Sequence, residues 1–128
     1  MAIITEDYVS FETAKLLKDK GFDVYGDGSL NSGIEVFAEY SPSGTFNKCI
    51  TSKPHQKAYP APTLQMAMKW LREACGLIIS IEYQDICPTW KWRVYLKSSD
   101  KKHTNFQHYN KYEEAAETAI KYCLENLI

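Results

Sequence analysis

Eight consecutive residues, Trp90, Lys91, Trp92, Arg93, Val94, Tyr95, Leu96 and Lys97, alternate apolar and polar with the two-residue period of a β-strand. Trp90, Trp92, Val94 and Leu96 fall on one face, and Lys91, Arg93, Tyr95 and Lys97 on the other. Three cations beside a phenol can hold a nucleotide or a phosphorylated ligand through charge and stacking. The same alternation also describes the solvated face of any half-buried antiparallel strand, where Lys and Arg discourage edge pairing. The solvated face is the more economical of the two, and Ser80 and Glu82 on the preceding strand are its natural cross-strand partners.

Other reactive side chains do not assemble into a reaction on spacing alone. Cys87 with His103 or His108 has the types of a nucleophile and base, but nothing in the sequence sets them within hydrogen-bonding reach or supplies an oxyanion hole. Cys49, Cys75, Cys87 and Cys123 contain no CxxC pair, and a zinc site would need them with His55, His103 and His108 from four separate segments. Buried, reduced thiols are expected instead. Gly26 and Gly28 do not lead into a helix as a phosphate-cradling loop must, so they read as a turn. Glu35 and Glu39 share a strand face but lie about 13 Å apart, too far for a glycosidase pair. No catalytic residue, metal site or cofactor is assigned, and the expectation is a protein that is not an enzyme.

The elements that position these groups follow from period and punctuation. Ser10 caps a helix whose buried stripe is Phe11, Ala14 and Leu17 and which ends at Gly21, with Phe22 folding back on Leu17. Ile34 to Tyr40 and Thr45 to Ile50 form a hairpin through Ser41, Pro42, Ser43 and Gly44, and Thr51 to Pro62 follows as a surface loop. A second helix starts at Pro62 and Thr63, buries Leu64, Ala67, Met68, Leu71 and Cys75, and stops at Gly76. Strands Leu77 to Tyr83 and Trp90 to Lys97 make a hairpin, and His103 to Tyr109 adds a third strand. The last helix begins near Asn110, with Glu113 reaching back to the cap, and presents Tyr112, Ala115, Ala116, Ala119, Ile120, Cys123, Leu124 and Leu127 to the core. The fold class is α+β, a hairpin plus a three-strand antiparallel meander packed with three helices, whose second half runs α-β-β-β-α.

At 128 residues the chain has the size of one domain spanning 1–128, and 45% hydrophobic with 13% aromatic residues is enough to fold. Fifteen basic against sixteen acidic residues give a net charge of −1, which sets up no field toward phosphate backbones or anionic lipid. Membrane association is not expected, since no apolar run approaches a bilayer span and Met1 to Asp7 lacks a signal-peptide pattern. A cytoplasmic location follows as an expectation. The order helix, three strands, helix is shared with double-stranded RNA binding domains. Those present lysines at the start of their second helix, where this chain has Lys111, Tyr112, Glu113 and Glu114, so nucleic-acid binding is a minor alternative.

Three segments together, ITEDYVSFETAKLLKDKGF from Ile4, APTLQMAMKWLRE from Ala61 and YEEAAETAIKYCLENLI from Tyr112, resemble a group of small uncharacterised proteins of gut anaerobic bacteria and of their phages and prophages. The resemblance implies a mobile-element accessory protein and brings no catalytic residue with it. A non-enzymatic module that binds a host protein is the expected function, with an exposed apolar patch around Tyr59 and Trp70. The alternative is a small-ligand or nucleotide-like module of counter-defence type that uses Lys91, Arg93, Tyr95 and Lys97. Either form can be a homodimer.

Overall fold

A computed structural model describes residues 7–22, 36–50, 57–104 and 107–128. Glu35, the Gly26 and Gly28 turn, His55 and the first half of the expected loop after Ile50 lie outside the described residues. The fold is α+β, with three helices and two three-stranded antiparallel sheets. The residues cluster into two compact units, 1–66 and 67–128, each with its own sheet.

The first unit contains α1 (Phe11–Asp19), β1 (Val36–Tyr40), β2 (Phe46–Ile50) and β3 (Tyr59–Pro60). Ser10 caps α1 by accepting a hydrogen bond from the Thr13 amide at 3.2 Å. Gly21 at φ +100 ends the helix, and the Phe22 amide then returns to the Leu17 carbonyl at 2.9 Å. The sheet order is β2-β1-β3. The expected loop therefore ends in a short strand: Tyr59 and Pro60 pair with Tyr40 and Glu39, and the Ala61 amide donates to the Ala38 carbonyl at 2.9 Å. Pro60, lacking an N–H, is tolerated because β3 is an edge strand. Phe11 is ringed by Tyr40 and Tyr59, with centroids at 5.5 and 5.7 Å, and the Tyr40 hydroxyl donates to the Val9 carbonyl at 2.6 Å.

Helix α2 (Leu64–Cys75) begins two residues before the end of the first unit. Its start is capped by Thr63, whose hydroxyl accepts from the Met66 amide at 3.2 Å, and Ala67, Met68 and Leu71 are buried. Gly76 at φ +69 turns the chain directly into β4 (Leu77–Gln84), which pairs antiparallel with β5 (Thr89–Leu96), and β5 pairs with β6 (Lys102–Thr104). The third strand is shorter than the sequence pattern suggests; further along, Tyr109 forms an isolated bridge with Trp90. Asn105, at which the apolar pattern is interrupted, lies outside the described residues.

Helix α3 (Tyr112–Asn126) packs on β4 and β5 and buries Ala115, Ala116, Ala119, Ile120, Cys123 and Leu124. Its N-cap is Lys111, which makes no side-chain cap bond, so the expected capping box at Asn110 and Glu113 does not form. Glu113 and Glu114 instead sit in the first turn, where carboxylates oppose the positive end of the helix dipole. Among the described residues no helix is long and apolar enough to cross a membrane.

Candidate functional site

The β4–β5 register converts the alternating stripe into a surface. Ile78 lies opposite Tyr95, Ser80 opposite Arg93, Glu82 opposite Lys91 and Gln84 opposite Thr89, while Lys102 and Thr104 of β6 stand beside Tyr95 and Arg93. Directly opposed residues share a face, so Lys91, Arg93 and Lys102 gather with Tyr95 on one side of the sheet. Lys97, just past the end of β5, continues the row and is exposed. Glu82 is the one carboxylate among these residues, and its Oε1 lies 3.6 Å from Arg93 Nε with both side chains about a third exposed. The Arg93 guanidinium is held above its ordinary pKa, first by a hydrogen bond with Tyr95 and then by the charge of Glu82. The opposite face carries Trp92 and Val94, buried under α3.

The turn between β4 and β5 brings together residues that the sequence left unconnected. Thr89 Oγ1 donates to the Cys87 carbonyl at 2.7 Å and lies 2.8 Å from His108 Nδ1, and Cys87 Sγ is 3.7 Å from the same hydroxyl. Because the single hydroxyl proton of Thr89 goes to the carbonyl, His108 Nδ1 is the donor in the second bond. The imidazole meets Thr89 rather than the thiol, so a proton cannot pass directly from Cys87 to His108, as a nucleophile and base pair requires. The expectation of buried thiols is corrected here: Cys87, in the turn between β4 and β5, is exposed, whereas Cys123 on the inner face of α3 is buried. His103 takes a different role, with Nδ1 3.2 Å from the Tyr122 hydroxyl on α3. Among the described residues, no three His, Cys, Asp or Glu side chains come together as metal donors.

Burial pushes the Cys123 thiol up to about 12, with the neighbouring Cys75 adding to the shift. Thiol alkylation followed by mass spectrometry at neutral pH is therefore expected to label Cys87 at the rate of an exposed thiol. Cys123 should label roughly a thousandfold or more slowly, since it must wait for opening of α3. Equal rates would mean that α3 does not protect its inner face. In the unfolded chain this thiol ionises near 9, so its contribution to stability is intact below that pH and is lost as pH climbs toward 12.

The residues proposed from sequence for protein binding belong to other elements, β3 and α2. Tyr59, half-buried, packs its ring on Phe11 and under the Lys18 ammonium, 5.1 Å from the ring centroid. Trp70 on α2 is half-buried and already engaged with other residues. The exposed apolar surface that sequence reasoning missed lies at the end of the β4–β5 hairpin. Ile86 is 95% exposed and Tyr83 52%; the Tyr83 ring lies tilted against Trp90 with centroids 5.1 Å apart, and Trp90 meets Tyr112 edge-on at 5.3 Å. A lone Ile in a turn carries no periodic signal that would have found it. Searches against family models, curated proteins and solved structures find no match to this chain.

Proposed function

We propose that this protein is a non-enzymatic interaction module that docks a partner protein through the end of the β4–β5 hairpin. The observation that carries this reading is the nearly complete exposure of Ile86 beside the half-exposed Tyr83, backed by the Trp90 and Tyr112 rings. An exposed aliphatic turn residue close in sequence to a row of aromatic rings has the composition of an interface anchor, since aromatic side chains supply contact area with little entropy to lose. The mobile-element setting implied by the three sequence segments accords with a binder of a host protein.

A second reading places a small anionic ligand on the opposite side of the sheet. It is favoured by the three cations Lys91, Arg93 and Lys102 around Tyr95, with Glu82 as their one acidic neighbour in the paired rows. One experiment separates the two. Capture from host lysate is run with the wild type, with Ile86→Asp, and with a Lys91→Glu, Lys102→Glu double variant, and both proteins and small molecules are analysed. Loss of an anchor of about 2 kcal/mol corresponds to roughly 30-fold weaker binding, so Ile86→Asp should lose the captured protein while the double variant keeps it. Retention by Ile86→Asp, or release of an anion from wild type alone, would reject the docking reading.

A further inference from the structure

Among the described residues no strand pairs with the outer edge of β4, and this edge lacks the protection that the other sheet edges carry. The Lys97 amide donates to the Gly76 carbonyl at 3.0 Å, and Gly76 and Lys97 continue the Leu77–Leu96 register as a hydrogen-bonded pair. Hydrogen-bonded pairs recur at every second residue of an antiparallel ladder, so Ile78, Ser80, Glu82 and Gln84 turn their backbone groups toward β5. Leu77, Ile79, Ile81 and Tyr83 turn theirs outward. The far side of β5 agrees with this phase: Leu96, opposite Leu77, donates away from β4 to the Lys101 carbonyl, and Trp90, opposite Tyr83, exchanges both bonds with Tyr109 at 2.7 and 2.8 Å. Among the described residues, the only hydrogen bond to these four outward N–H and four outward C=O groups is a 3.4 Å contact from the Gln84 side chain to the Tyr83 carbonyl.

Natural sheets blunt such edges with short strands, lysines, proline or bulges. The other edges here do so: β6 has three residues including Lys102, β3 has two including Pro60, and β2 carries Lys48. The eight residues of β4, LIISIEYQ, contain no proline and no lysine, and the one charge, Glu82, lies beside Arg93. A long apolar edge of this kind takes a strand from another chain.

We infer that β4 pairs with β4 of a second copy of this protein, antiparallel about a two-fold axis through Ser80, joining the two meanders into a six-stranded sheet. The register is set by the backbone. Only outward-turned residues can exchange hydrogen bonds, and the one alignment that uses all four on each strand places Leu77 opposite Tyr83 and Ile79 opposite Ile81. That alignment continues the apolar row of one copy into that of the other. It also sets Ser80 against Ser80, small and neutral at the axis, and Glu82 against Ile78. The two Glu82 carboxylates then stand about 13 Å apart, beyond the roughly 8 Å screening length at physiological salt, so the one charge on the strand does not oppose pairing.

The test is made on the full chain. Sedimentation velocity is expected to give twice the 14.7 kDa monomer mass for wild type and the monomer mass for Ser80→Lys, whose side chain lies on the solvated face and sets two ammonium groups together at the axis. In a Cys49→Ser, Cys87→Ser background, Ser80→Cys should form an intermolecular disulfide under mild oxidation. The non-hydrogen-bonded pair there brings the Cα atoms to about 4.5 Å, inside the disulfide range. Ile78→Cys mixed with Glu82→Cys should link only to each other, each being about 13 Å from its own counterpart. A wild-type chain that sediments as a monomer at its highest soluble concentration overturns the inference. A dimer in which Ser80→Cys does not link overturns it equally.

Discussion

Truncating Trp92 to alanine is expected to cost about 3–5 kcal/mol and to unfold the second unit at temperatures the wild type withstands, because stabilities of small domains total only about 5–15 kcal/mol. Trp92 is 2% exposed and heads the largest fully buried side chains. Its ring lies 5.1 Å from that of Tyr122 on α3, and Ile81 stands opposite it on β4, so the indole joins the sheet to the helix. Tyr122 also reaches His103 Nδ1 at 3.2 Å, so loss of the indole loosens the contact that ties β6 to α3.

A phenylalanine at the same position distinguishes packing from polarity. The Trp92 indole N–H is buried with no hydrogen-bond partner, and an orphaned donor costs about 1–3 kcal/mol. Trp92→Phe gives up part of the packing but removes that penalty, so its stability should lie within about 1.5 kcal/mol of wild type. Urea unfolding followed by far-ultraviolet circular dichroism, with hydrogen exchange of the β5 amides, measures both variants. If phenylalanine proves as damaging as alanine, the indole N–H has a partner in solution, and the account of this core changes.

What could be read ahead of the coordinates is what local chemistry dictates. Ser10 and Thr63 cap because their hydroxyls reach amides three residues on, and Gly21 and Gly76 end helices because each takes positive φ at no cost to a Cβ. The alternation from Trp90 to Lys97 assigned its faces correctly for the same reason: a strand's period is a property of its own backbone. Pairing between distant segments was not legible. Tyr59 and Pro60 have no period of their own, and they become a strand only because β1 offers an edge 19 residues earlier in the Tyr40–Tyr59 pair. Nor does the sequence show that the strands divide between two sheets.

The site was legible in the same uneven way. Lys91, Arg93 and Tyr95 could be placed on one face, but Lys102 joined them through a register that only the folded chain defines. Cys87 and His108 were recognised by type, and the geometry that joins them through Thr89 depends on the Trp90–Tyr109 bridge drawing the distant segment alongside the turn. Lys111 took the cap expected of Asn110, shifting the start of α3 by a residue or two without changing its buried face.

The first unit has its own point of vulnerability, at Gly44. The β1–β2 turn closes with the Gly44 amide on the Ser41 carbonyl at 2.8 Å and the Ser41 amide on the Thr45 carbonyl at 2.9 Å, and Gly44 is held at φ +97. An alanine there meets two costs. Positive φ disfavours an L residue by about 1–2 kcal/mol, and the new methyl would stand 3.1 and 3.2 Å from two carbons of the Phe11 ring. That ring cannot easily withdraw, since Tyr40 and Tyr59 flank it and the Lys15 ammonium sits 4.6 Å from its centroid. Overpacking of this kind adds about 1–3 kcal/mol, so Gly44→Ala should destabilise the first unit by about 2–5 kcal/mol. Gly21→Ala supplies the comparison: its φ is +100, yet nothing lies within 4 Å of the added methyl, so it should show the backbone cost alone. In a double-mutant cycle, Phe11→Leu should recover the excess at Gly44 and leave Gly21→Ala unchanged. Equal losses at the two glycines, with no coupling to Phe11, would show that the ring yields to the methyl and that the turn's stability rests on backbone conformation alone.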